Sequence, residues 1–153
     1  MLRQASVLLS FVSVLLLALA SVPGCSKLPS VRFDSPFGQS DWVEVQDPVV
    51  VQGPFPALAF SVVNLKDRVL SVQVEIDQID GEGDCANIFR LEAGRTFRYS
   101  CPQRSVAAGQ RYRGDLRVYK DWGETKLAER RHRILEIQAG AGSELILVGR
   151  PAE

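Results

Sequence analysis

The chain has 153 residues, 46% of them hydrophobic and 24% charged, and its 18 Lys plus Arg balance its 18 Asp plus Glu. A balanced charge is not that of a nucleic-acid binder, and a single histidine leaves no material for a multi-histidine metal site. Three cysteines set the second question, because their use depends on the compartment.

The chain opens with Arg3 as its one early cation, then runs from Val7 to Ala20 with no charge and only two serines. That is the layout of a secretory signal peptide. The uncharged segment is 14 residues long, so as a helix it reaches only ~21 Å against a hydrocarbon core of ~30 Å. The segment closes on Val22, Pro23, Gly24 and Cys25, which resembles the bacterial lipobox. The resemblance implies cleavage before Cys25, a diacylglycerol on its thiol and acylation of the new amino terminus; two or three acyl chains hold a soluble domain on a bilayer without a spanning helix. Pro23 departs from the commonest pattern, which has a small or polar residue there. Ser26 stands where lipoproteins retained in an inner membrane carry Asp, so the resemblance implies a lipid-anchored outer-membrane protein facing the periplasm.

With Cys25 assigned to lipid, Cys85 and Cys101 remain as an even pair in an exported chain, and a disulfide is the economical expectation. It closes a loop of about 16 residues, contributing roughly 3 kcal/mol in the chain-entropy description. The expected organisation is a signal peptide over 1–24, a lipidated tether over 25–40 and one folded domain over 41–153. Ser26 to Ser40 mixes Pro, Gly, Ser and Gln without a period and reads as a tether, although Phe33 and Phe37 offer a way to pin it to the domain. Charge is uneven along the remainder: Cys25 to Cys85 holds 4 basic and 10 acidic residues, Ala86 to Glu153 holds 13 and 8.

From Trp42 the pattern is that of strands. WVEVQDPVVV alternates through Val43 and Val45 before a Pro48 suited to an edge, and VLSVQVEID sets Val72, Val74 and Ile76 against Gln73, Glu75 and Asp77. ALAFSVVNL lies between them, and Asn64 to Arg68 supplies a polar turn. IFRLEAGRTFRYSC reads as a further strand or hairpin; YRGDLRVY places Tyr112, Leu116 and Val118 on one face and Arg113, Asp115 and Arg117 on the other. Glu124 to Ile137 has helix formers, but it follows a hairpin-like turn and ends in Ile134, Leu135 and Ile137, which favours a strand. SELILVG closes the chain. About seven short strands with regular turn signals predict an all-β antiparallel sandwich.

SVAAGQRYRGDLRVY is similar to the segment of fibronectin type III and immunoglobulin-like domains that carries a tyrosine corner, with Val106, Gly109 and Tyr112 in the matching places. The resemblance implies that Tyr112 buries its ring and bonds nearby backbone through its hydroxyl. Cys85 and Cys101 lack the long separation and central Trp of an antibody-type disulfide, which makes them a local staple rather than an inter-sheet pin.

His132 sits in ERRHR, and no G-x-S-x-G elbow, P-loop, G-x-G-x-x-G or H-E-x-x-H accompanies it, so no catalytic residue, cofactor or metal is expected. Asp77 to Asp84, DQIDGEGD, departs from EF-hand spacing and reads as a solvated turn, with calcium as the rival. Arg111, Arg113 and Arg117 fall at even spacing, as do Arg131 and Arg133, so the two sets are expected to line one outward face able to grip an anionic partner. The function expected is a non-enzymatic, lipid-anchored binding or assembly module of the cell envelope with a protein or glycan partner; the alternative is a small carboxylate-dependent glycan hydrolase.

Overall fold

A computed structural model describes residues 35–153. The expected signal peptide, the expected lipidation site Cys25 and most of the expected tether lie outside the described residues.

Eight strands follow one another: β1 Val43–Val51, β2 Ala57–Asn64, β3 Leu70–Gln78, β4 Cys85–Leu91, β5 Thr96–Pro102, β6 Arg111–Tyr119, β7 Leu127–Ala139 and β8 Leu145–Pro151. They form two antiparallel sheets, β1-β2-β5 and β4-β3-β6-β7-β8. The segment that the sequence left between helix and strand is strand from Leu127 onward, as its apolar ending suggested, while Glu124 to Lys126 belong to the preceding turn. Pro48 sits on β1, an edge strand, where its missing N–H interrupts nothing; the register slips between Gln46 and Val49, and Asp47 takes a positive φ of 50° in the bulge.

The count is eight because IFRLEAGRTFRYSC divides. Gly94, at a φ of 64°, helps close a turn in which the Arg95 N–H donates to the Glu92 carbonyl at 3.0 Å. The two strands beside that turn do not pair: β4 joins β3, while β5 crosses to the other sheet and joins β2. Buried Asn64 steadies the crossing, its amide donating to the carbonyls of Leu91 and Glu92 at 2.9 and 3.1 Å and to Arg68 at 2.7 Å.

The core lies between the sheets. Strand β2 is buried along nearly its whole length because it is the central strand of its sheet and the residues on the face opposite Leu58, Phe60 and Val62 are small (Ala57, Ala59, Ser61), whereas β3 and β6 alternate. Phe60 stacks on Tyr99 at 4.8 Å, and Phe89 of β4 stacks on Phe97 of β5 at 3.9 Å across the gap between sheets.

The packed domain begins ahead of residue 41, contrary to the expected boundary. Phe37 is 1% exposed and meets Phe60 edge-on at 5.5 Å. The backbone makes room for it: a Cβ on Gly114 would lie 3.0 Å from the Phe37 ring and 2.9 Å from Leu135, and one on Gly149 would run into the Pro36 carbonyl. Ser40 then accepts from the N–H groups of Trp42 and Val43 at 3.0 and 3.2 Å and donates to Glu129, fixing the entry into β1. A Pro/Gly-rich stretch reads as linker in sequence, and one aromatic side chain is enough to make it part of the core.

Tyr112 is fully buried, but its hydroxyl donates to Oε1 of Gln110 at 3.2 Å, and the same oxygen accepts the Ala107 N–H at 2.9 Å. The expected bond to backbone is replaced by this side-chain relay. Gly109, at a φ of 91°, lets the loop turn back so that its N–H reaches the Ile137 carbonyl at 2.7 Å.

Candidate anion-binding face

The outward side of the five-stranded sheet is built by β3, β6 and β7. Tyr112, Leu116 and Val118 point inward, so Arg111, Arg113, Asp115 and Arg117 point outward. On β7 the buried residues are Leu135 and Ile137. Their parity sends Arg130 and His132 outward, and sends Arg131 and Arg133 to the other side. The register agrees, with inward Leu116 opposite Arg131 and Gly114 opposite Arg133.

The five arginines therefore do not share one face. Arg131 bonds Glu129 through Nε at 2.6 Å, and Arg133 lies over Gly38, where an added Cβ would meet its Nη2 at 2.5 Å. Both flank the N-terminal segment along the inner side of β7. The even spacing within each arginine set was correct; the relation between the sets depends on which β7 residues face the core, and alternating Leu135 and Ile137 against Ile134 carried that signal.

Arg130 takes the place that Arg131 and Arg133 vacate. It and Arg117 converge on Asp115, whose carboxylate accepts from Arg117 at 2.7 Å and from Arg130 at 2.6 to 3.1 Å. Arg117 also reaches Gln73 at 3.4 Å and Glu75 at 3.5 Å. Burial acts to raise the Asp115 carboxyl, but the hydrogen bonds and charges of Arg130 and Arg117 outweigh it and hold the group below the usual carboxylate range. Arg117 is thus engaged by its own sheet. Arg113 pairs with no carboxylate among the described residues, and it is exposed opposite Asp77 in the β3–β6 register.

The acidic turn between β3 and β4 is mostly neutralised: Asp80 pairs with Arg111 at 3.2 Å and Glu82 with Arg104 at 2.8 Å. Burial first, then the neighbouring Asp84 and Glu75, raise the Asp77 carboxyl, and Arg113 opposes them. Among the described residues no three acidic, histidine or cysteine side chains are arranged to hold a metal ion. His132 is exposed on the outward face, opposite Asp115 in the register.

Cys85 and Cys101 are bonded, with Cα atoms 5.7 Å apart. Their role differs from the expected local staple. Cys85 opens β4 in one sheet and Cys101 lies near the end of β5 in the other, so the bridge ties the two sheets together at their shared edge. A separation of 16 residues conceals this, because the chain changes sheets between the two cysteines.

No protein-family model matches the chain, and neither does any curated protein. Among solved structures it is similar to a Bacteroides uniformis beta-glucuronidase, at 16% identity and a TM-score of 0.34, and to a calcium-binding mutant of Bacteroides uniformis beta-glucuronidase 2, at 15% and 0.34. Each likeness covers 73% of this chain and 15% of the other, so the chain spans a small part of those enzymes.

Proposed function

We propose that the protein is a lipid-anchored cell-envelope module with a fibronectin type III or immunoglobulin-like sandwich, which binds an anionic partner through the outward face of β3, β6 and β7. Supporting the fold assignment, the order β1-β2-β5 against β4-β3-β6-β7 is that of strands A-B-E against C′-C-F-G in fibronectin type III domains, with β8 added at the edge. Supporting an exported location, the chain carries an inter-sheet disulfide behind an uncharged N-terminal run that ends at Gly24 and Cys25.

The observation that carries the binding reading is Arg113. It is an exposed guanidinium, without a described ion-pair partner, flanked on its strand by two arginines already held by carboxylates. An anion approaching there meets a face whose other arginines are offset by carboxylates, with one five-donor fork left for bidentate contact. Crosslinking in membranes followed by capture of the protein, with Arg113→Gln alongside, tests it: wild-type capture that weakens with salt and drops in the variant supports the reading, and equal capture overturns it. Anchoring is tested separately. Cys25→Ala should release the protein from membranes, and a variant that stays in the pellet after carbonate extraction overturns the lipid anchor.

A further inference from the structure

One end of the sandwich carries exposed apolar side chains on the tips of its turns. Leu65, in the β2–β3 turn, is 48% exposed; Trp122, in the β6–β7 turn, 56%; and Leu127, at the start of β7, 53%. Trp42 gathers them. Its carbonyl accepts the Leu65 N–H at 3.0 Å, and the ammonium groups of Lys66 and Lys120 lie 5.0 and 5.3 Å from its ring centre, one from each turn. In the β6–β7 turn Asp121 accepts the Thr125 and Lys126 N–H groups at 3.2 and 3.0 Å, and Glu124 accepts from Ser71 at 3.4 Å. Charges of both signs face solvent here: Asp67 and Arg68 are exposed beside Lys66, and Asp41 beside Trp42, while Lys66 and Lys120 are the cations set next to the Trp42 ring.

We infer that this end docks on the surface of a bilayer, Trp122, Leu65 and Leu127 entering the interfacial layer while Lys66 and Lys120 lie at the level of the headgroups. Trp prefers that layer because its ring is apolar and its N–H needs a polar partner, and Lys covers apolar surface with its stem while its ammonium stays in water. Aliphatic tips flanked by ammonium groups fit a broad lipid surface. A sugar instead asks for a flat ring beside hydrogen-bonding side chains in a groove, and these three residues sit on turn tips.

The inference rests on the lipid-anchored reading above. Cys25 precedes the first described residue, Ser35, by ten positions, and such a span of chain reaches at most ~33–36 Å. A domain so tethered meets the bilayer at millimolar effective concentration, on the order at which a few interfacial side chains suffice to hold an orientation.

The test uses the lipidated chain purified in detergent and reconstituted into vesicles of phosphatidylethanolamine with a minority of phosphatidylglycerol, some carrying brominated acyl chains. Bromine should quench the tryptophan emission, and Trp122→Phe should lose most of that quenching with no change in Tm. Adding Leu65→Glu should abolish the remainder that depends on docking. Protein that floats with the vesicles but shows no Trp122-dependent quenching overturns the inference and leaves the anchor standing. Failure to float at all overturns both, and quenching or spectral shift by soluble peptidoglycan fragments in place of brominated lipid overturns it in favour of a glycan site.

Discussion

The guanidinium of Arg130 grips both carboxylate oxygens of Asp115, with Nε at 3.0 Å from one and Nη2 at 2.6 Å from the other, although the register pairs Asp115 with His132. The contact is the diagonal across the β6–β7 pair, which long side chains reach. It leaves Asp115 as the hub on which two arginines of the outward face converge.

Stability should consequently depend on acid. The Asp115 carboxyl is held below its ordinary value in the folded chain, so its contribution is present above the unfolded value near 3.9 and is lost as pH falls through the lowered folded value. Asp115→Asn should cost about 1–2 kcal/mol at neutral pH, since the carboxylate is buried while Arg130 is half exposed. Denaturant midpoints measured from pH 7 to pH 3 should fall more steeply for the wild type than for the variant; parallel curves would show that the hub contributes nothing.

Arg113 and Arg117, alike in sequence, should behave differently. Arg113→Gln should change the thermal midpoint little, because it loses no described ion pair, whereas Arg117→Gln should cost about 1 kcal/mol through its bonds to Asp115 and Glu75. Equal losses measured by thermal denaturation would place Arg113 in contacts that the register does not give it.

The N-terminal segment should contribute to stability as core does. Phe37→Ala removes a buried ring and should cost about 3–5 kcal/mol. Gly149→Ala should cost about 1–3 kcal/mol by driving the Pro36 carbonyl away. Both changes act on the same short segment, so the double variant should lose less than the sum. Full additivity in urea titrations would mean that Gly149 acts through something other than that segment.

Replacing Cys85 and Cys101 together by Ala should lower stability by about 2–4 kcal/mol, with the sandwich retained because Phe89 on Phe97 still joins the sheets and the core between them stays buried. Peptide mapping of the wild type without reductant should recover the two linked. Free thiols at both positions would contradict the bridge, and a variant that fails to fold would show that the remaining core contacts cannot hold the sheets alone.

Most of the strands and their class were legible in the sequence, because period-two alternation and β-branched runs are local signals and the strands are bounded by turn residues; only the 13-residue β7 was ambiguous with helix. Val72, Val74 and Ile76 announced an inward face, Tyr112 a buried ring, and the spacing of Arg111, Arg113 and Arg117 a shared side. Tertiary structure alone decided which strands are neighbours. The crossing between β4 and β5 turned a bridge that is local along the chain into one between sheets, and the parity of β7 sent Arg131 and Arg133 inward while Arg130 joined Asp115. The burial of Phe37 likewise moved the start of the domain, since only a cavity above Gly114 and beside Gly149 distinguishes a core residue from a residue of a linker. Alternation reports which side of its own strand a residue occupies; which sheet that strand joins, and what covers it, is set by contacts between residues distant in the chain.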